Sequence, residues 1–378
     1  MRAGRTVVSS NRGVLNYSEP IPMILDFGTG FDSDVYVTVD NTNWLVGGGF
    51  NNYKDSPKPK ITLLDVYGNV VPSFNAGTGF DNPITNIDVY GGKYMCSGYF
   101  TTYNGTSSAF IARINSDGTY DGTFNVGTGF NDGSGGGVEK IVHQSNGKYV
   151  VIGDFTSYNG TTISYIIGLN DDGTINSGFN VGTGLDSRGF ALTVTNSDKI
   201  YAAGLFTSYN GNTSNGVVRI NADGSYDNTF DASSGFNGDF LHDIKEQSDG
   251  KIIVVGTCTS YAGNSVGKIV RINSGGTYYS TFNNGGVGFD DTPYKIKIQT
   301  DGKILIGGSF ESYNGITKKR MIRLNSNGSI DNSFDTGNIF ADSGVQSINI
   351  LSNGNILVGG SFTNKRIALL DPDGNLIA

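Results

Sequence analysis

Few residues in this chain have the type and spacing that chemistry needs. Its two histidines, His143 and His242, stand far apart, and neither has a second His at metal-ligand spacing. His242 directly precedes Asp243, but neighbours on a strand point to opposite faces, so the pair is expected to form no proton relay. Asn115-Ser116-Asp117-Gly118 followed by Asp121, Asn221-Ala222-Asp223-Gly224 followed by Asp227, and Asp371-Pro372-Asp373-Gly374 faintly resemble a calcium loop, which needs several oxygens at two-residue steps. The equivalent stretches Asn273-Ser274-Gly275-Gly276 and Ser326-Asn327-Gly328 keep the Gly and drop the carboxylates, as a tight turn would and a metal site would not. No catalytic residue, metal or cofactor is expected. Acid pairs for glycoside cleavage would have to come from distant parts of the chain, and nothing in the sequence places one.

Two further patterns recur. Arg113, Arg219 and Arg323 are followed eight residues later by Asp121, Asp227 and Asp331, whereas copies lacking the Arg (Leu63, Gly168, Leu369) also lack the Asp (Val71, Asn176, Ile377). Joint presence and absence points to a cross-strand ion pair that braces structure. One copy departs from this rule, with Arg271 opposite Tyr279. The second pattern is a Tyr-Asn-Gly loop: Tyr53, Tyr103-Asn104, Tyr158-Asn159, Tyr209-Asn210, Tyr261 and Tyr313-Asn314. Two readings are open for it. A ring of these residues, with Asp32, Asp81, Asn131, Asp186, Asn237 and Asp290 beside them, would suit sugar binding or protein docking; alternatively Tyr packs between units while Asn-Gly turns the chain. Recognition on a repeated scaffold falls more naturally to the parts that vary, here Asn52–Lys60, Asp132–Gly137, Asn237–His242 and Ile316–Arg320.

The elements that must position these residues repeat along the chain. Asp301–Gly315 (DGKILIGGSFESYNG) matches Asn146–Gly160 (NGKYVVIGDFTSYNG) and Asp249–Gly263 (DGKIIVVGTCTSYAG), with weaker copies elsewhere. Aligning Phe50, Phe100, Phe155, Phe206, Cys258, Phe310 and Phe362 gives spacings of 50, 55, 51, 52, 52 and 52 residues, hence seven units. Each unit carries four short strand signals. In the sixth, YKIKIQ alternates as a half-exposed strand, KILIGGSF is continuously apolar, and RMIRLN and SIDNSF follow, separated by Asp-Gly and Asn-Gly turns that supply positive φ. The expected fold is all-β: a seven-bladed β-propeller of four-stranded antiparallel blades over residues 27–378, preceded by an arm at 1–26. Linkers such as Phe124–Phe130 (FNVGTGF) recur between units. The N-terminal copy at Asp26–Phe31 is expected to staple the first blade to the last and so remove exposed sheet edges.

Composition supports this reading. Of 378 residues 57 are Gly and only 8 Pro, which suits many tight turns, while 22 Phe and 20 Tyr argue against disorder. The net charge of −8, without a basic stripe, makes nucleic acid an unsuitable partner. Cys96 and Cys258 lie three units apart in the repeated strand and read as small core residues. The N-terminus has no apolar signal core and no run reaches membrane-spanning length, so no membrane insertion is expected.

GKILIGGSFESYNG, then RMIRLNSNGSIDNSF, then a GTGF linker resembles the delta-sixty repeat, a β-propeller unit, over most of residues 27–378. That resemblance implies the settings in which such repeats occur: bacterial surface or secreted proteins, and structural proteins of tailed phages, especially tail fibres. The expected function is accordingly that of a non-enzymatic virion component, at the tail or fibre. It would bind a host surface glycan or protein, or dock another virion protein through residues 1–26. The expected localisation is the virion, after synthesis without a signal peptide; the alternative is a bacterial surface adhesion module.

Overall fold

A computed structural model describes residues 25–131, 137–363 and 365–378. Almost all of the arm (1–24), and 132–136 of the Asp132–Gly137 loop, lie outside the described residues. Eight three-stranded antiparallel sheets are present among the described residues; one is a short sheet of Phe130–Asn131, Ser157–Tyr158 and Thr161–Thr162, and the other seven repeat along the chain, each ordered first-second-third. We label their first strands β1 (Val35–Asn41), β2 (Ile84–Tyr90), β3 (Val138–His143), β4 (Gly189–Val194), β5 (Leu241–Glu246), β6 (Pro293–Ile298) and β7 (Val345–Ile350). Each lies beside the first strand of the next sheet, and β7 lies beside β1. The first strands therefore surround a central channel, and the fold is an all-β propeller.

The second strand of each sheet is the continuously apolar one, for example Ile304–Gly308, and it is buried throughout. It has partners on both edges and sheets on both faces, so a run without alternation is what this position requires. The fourth strand expected in each unit differs from the structure. Ile330 forms only an isolated bridge to Leu324, as Tyr120 does to Ile114 and Tyr226 to Ile220. Its extension is cut short by a local turn: Asp331 Oδ1 accepts the Ser333 backbone N–H at 3.0 Å, and the Phe334 N–H donates back to the Asp331 carbonyl. Carboxylate turns of this kind compete with a ladder for the same backbone groups.

The core lies between the sheets in seven clusters. One of them joins Phe27, Phe31, Val35, Trp44 and Phe50 at the start of the chain to Leu357, Ile367 and Leu369 at its end. The Phe31 N–H donates to the Lys365 carbonyl at 3.0 Å, and Arg366 pairs with Asp34 at 2.6 Å. Thr38 N–H donates to Ser347 Oγ across the same seam at 2.9 Å. Both cysteines are buried free thiols. No helix among the described residues is long and apolar enough to cross a membrane.

One irregularity decides what faces the channel. Every first strand carries a β-bulge near its start, such as the register shift between Leu241 and Asp243 opposite Gly256 and Val255. Across from each bulge sits a Gly. At Gly308 a Cβ would stand 2.4 Å from the Thr292 carbonyl oxygen, so only glycine allows the approach.

Candidate binding site at the channel mouth

The Tyr-Asn-Gly segments form short antiparallel ribbons beyond the ends of the second strands, the one at Tyr158 joined by Phe130–Asn131 as a third strand, with the Asn and Gly in the left-handed region (Asn159 φ 46°, Gly160 φ 76°). Tyr53, Tyr103, Tyr158, Tyr209 and Tyr313 are all buried. Each hydroxyl donates to a glycine carbonyl fifteen residues on: Tyr53 to Gly68 at 2.6 Å, Tyr158 to Gly173 at 2.6 Å, Tyr313 to Gly328 at 2.8 Å, and Tyr103 and Tyr209 to Gly118 and Gly224. Their rings complete aromatic clusters with the linker Phe, as in Phe130 with Phe155 at 4.5 Å and with Tyr158 at 4.6 Å. Burial of the phenols pushes their pKa values up. These tyrosines expose no surface to a ligand.

The accompanying polar groups are engaged in the same scaffold. Oδ1 of Asn104, Asn159 and Asn210 accepts the backbone N–H of Thr78, Thr128 and Thr183 in the linkers at 3.1, 3.2 and 3.2 Å, and Asn314 accepts that of Gly288 at 2.8 Å. Asp81 Oδ1 accepts the Thr101 and Thr102 N–H groups at 2.9 and 3.0 Å; Asp32, Asp186 and Asp290 do the same in their own units. Burial opposes ionisation of these aspartates, but the hydrogen bonds outweigh it and hold their pKa values below the ordinary range.

The Arg/Asp pattern is a brace. Arg113, Arg219 and Arg323 each place Nε 2.7 Å from Asp121, Asp227 and Asp331. Their Nη1 groups reach the next sheet's turn, on the carbonyls of Asp171 (2.6 Å), Ser274 (2.5 Å) and Pro372. Arg271, whose partner is Tyr279, stacks its guanidinium 4.7 Å from that ring and pairs with Asp249 at 2.6 Å. Among the described residues no group of three or more His, Cys, Asp or Glu is placed to hold a metal.

What does converge is the second residue of each first strand. Tyr36, Thr85, Glu139, Phe190, His242, Tyr294 and Gln346 line one cavity of about 370 Å³ at the channel mouth, with Tyr99, Lys140 and Lys295. The bulge aims these side chains inward, and it also brings the residue after each of them toward the channel. Thus His242 lines the mouth while Asp243 lines the channel below it, which corrects the expectation that these neighbours face opposite ways. The mouth is rich in aromatic faces. Phe190 and Phe240 lie 5.4 Å apart, His242 stands edge-on to Tyr294 at 5.3 Å, and Tyr99 and Phe240 are 46% and 44% exposed. Polar ties set their orientation: Tyr99 Oη donates to Glu139 at 3.3 Å, Tyr294 shares a hydrogen with Ser309 at 2.7 Å, and Gln346 Nε2 donates to Ser361 at 2.6 Å.

Burial pushes Tyr99 up to about 12, with Glu139 adding to the effect, and burial raises Glu139 itself. Burial, then Lys295, holds His242 below its ordinary value, so its imidazole is neutral near pH 7. The site therefore presents stacking faces, a neutral ring nitrogen, an amide and a carboxylate to a ligand entering along the axis. Of the variable segments, Asn237–His242 reaches this mouth through His242, and Phe240 packs on its wall; the remaining mouth residues come from strand positions outside those segments.

The family described as "Domain of unknown function (DUF5122) beta-propeller" matches residues 92–124, 144–179, 196–230, 247–282, 299–334 and 351–376. No curated protein sequence matches the chain. Among solved structures, the WD40 β-propeller domain of Doa1 is similar at 14% identity and TM-score 0.50, covering 90% of this chain and 94% of that one. The computationally designed Ika8 protein is similar at 10% identity and TM-score 0.53, covering 91% and 98%. YCF48, in a structure bound to D1 peptide, is similar at 13% and 0.50, covering 92% and 96%. These likenesses show the fold alone. Because the six matched segments together make up more than half of its length, the chain belongs to the DUF5122 β-propeller family.

Proposed function

We propose that this protein is a non-enzymatic attachment propeller: a ring of seven blades, closed where its first and last sheets meet, that binds a surface glycan at the channel mouth. One observation carries the reading. The seven first strands, each at the same position, direct seven side chains of six types into a single cavity, while the repeated Tyr, Asn and Asp residues are occupied in the scaffold. Specificity on a repeat protein belongs to the positions that vary among its units. Aromatic planes flanked by amide, imidazole and carboxylate groups suit the alternating apolar faces and hydroxyls of a sugar. The setting follows from the likeness to the delta-sixty repeat. On that basis the protein is a phage tail or fibre component held to the particle by residues 1–26, or, as the alternative, a module of a bacterial surface. Several copies binding weakly would add through avidity in either place.

Antibodies against this chain that label intact particles support the virion setting; labelling of bacterial cells alone moves the protein to the surface alternative. Incubation with purified envelope polysaccharide that releases reducing sugar would refute the non-enzymatic reading.

A further inference from the structure

The channel below the mouth carries a charge imbalance that the aromatic site does not use. Lys140, Asp243 and Lys295 occupy the third position of β3, β5 and β6, with Lys245 two residues beyond Asp243, and all four line the channel. Asp243 is already satisfied. Its Oδ1 accepts Lys245 Nζ at 3.0 Å and the Ile244 N–H at 3.0 Å, and its Oδ2 accepts the Ile296 N–H across to the next strand at 3.0 Å. The other nearby carboxylates form no ion pair with Lys140 or Lys295. Asp88 holds His143 at 2.7 Å through Nδ1 and at 2.9 Å through the backbone N–H, and Glu139 accepts from Tyr99. Lys140 and Lys295 thus have no carboxylate within ion-pairing distance and no hydrogen-bond acceptor among the described residues, although both are half-buried in a chain of net charge −8.

An ammonium held in a narrow channel beside like charges is costly unless an anion joins it. Enclosure, then Lys295 and Lys245, pushes the Lys140 pKa down to about 7, and enclosure lowers that of Lys295. We propose that Lys140 and Lys295 together seat one anionic group, a carboxylate or sulfate, of an acidic saccharide whose ring rests on the mouth aromatics. This deepens the glycan reading and rests on it for the identity of the ligand, but the anion seat can be read by itself. The ammonium groups supply charge-assisted hydrogen bonds at the floor, and the aromatic faces above them bind the apolar side of the sugar.

The test titrates the full chain with glucuronate, N-acetylneuraminate and inorganic sulfate, and with glucose as a neutral control, by calorimetry. Thermal midpoints are read in parallel for the wild type, Lys140→Met and Lys295→Met. At least one acidic sugar is expected to bind at a single site, tenfold or more tightly than glucose, and to lose at least tenfold in each lysine variant. Without ligand the two variants should melt at or above the wild-type temperature, since each loses an uncompensated charge. Sulfate should raise the wild-type midpoint but not theirs. Absence of saturable binding by all three anions, or binding unchanged in both variants, overturns the proposal. Lysine-dependent sulfate binding without any acidic sugar binding upholds the anion seat and refutes the glycan reading above it.

Discussion

Replacing Tyr158 by Phe separates scaffold from site. Tyr158 is buried, its ring lies 4.6 Å from Phe130, and its hydroxyl donates to the Gly173 carbonyl at 2.6 Å. Tyr158→Phe keeps the aromatic packing and removes one buried donor, leaving a buried carbonyl unpaired, which costs about 1–3 kcal/mol. Tyr158→Ala also opens a cavity where the ring stood, and that class of truncation costs about 3–5 kcal/mol. Chemical denaturation followed by fluorescence should rank wild type above Tyr158→Phe above Tyr158→Ala, with the first step a few degrees in thermal midpoint. Tyr99→Phe is the comparison: its ring is 46% exposed at the mouth, and it should change stability by less than about 0.5 kcal/mol. Glycan affinity should behave oppositely, unchanged in Tyr158→Phe and weakened in Tyr99→Ala. If Tyr158→Phe left stability intact while abolishing binding, the assignment of the repeated tyrosines to the scaffold would be wrong.

Two further outcomes follow from the braces between sheets. Arg323→Met removes the Nε bond to Asp331 and the bond to Pro372 but leaves Lys303 3.0 Å from the carboxylate, so it should cost about 1–3 kcal/mol. Adding Asp331→Asn should recover part of that loss in a double-mutant cycle, and strict additivity would show the pair to be uncoupled. The pH dependence has a definite sign. Burial opposes ionisation of Asp121, Asp227 and Asp331, yet hydrogen bonds from Lys93, Lys199 and Lys303 and from Thr or Ser neighbours, together with the Arg bonds, hold all three well below their ordinary range. Their contribution is complete above the unfolded value near 4 and is lost as pH falls below it, because the unfolded chain then binds protons that the folded chain refuses. Stability should therefore decline below about pH 4, by up to about 1.4 kcal/mol per pH unit for each carboxylate. Converting all three to Asn should flatten that decline; an unchanged slope would place the acid sensitivity elsewhere.

Much of the fold was legible because turn chemistry and periodicity act locally. Asp-Gly and Asn-Gly dipeptides require positive φ, the continuous KILIGG run has to be buried on both faces, and Arg323 with Asp331 is a contact eight residues apart. The fourth strand was overcounted for a local reason as well: SIDNSF carries a strand-like pattern, but Asp331 closes a turn on Ser333 that ends the pairing after Ile330. The site was far less legible. Tyr36, Thr85, Glu139, Phe190, His242, Tyr294 and Gln346 come together only through closure of the ring, a long-range event with no local signature. The bulges that turn them inward also break the two-residue alternation on which any facing argument depends. A signal was nonetheless present. This column varies in size, charge and aromaticity beside an apolar or Gly first position, and its variation marks recognition where the constancy of Tyr-Asn-Gly marks packing.

The central claim is that ligand binds at the channel mouth and not on the outer Tyr-Asn-Gly ribbons. An array of neutral and acidic glycans probed with wild type, Tyr99→Ala/Phe190→Ala and Asn159→Ala tests it most directly, with a thermal melt of each protein to confirm folding. The mouth variant is expected to lose at least tenfold in affinity for whichever glycan the wild type binds, while Asn159→Ala binds as the wild type does. Full binding by the folded mouth variant, with loss in Asn159→Ala, would contradict it.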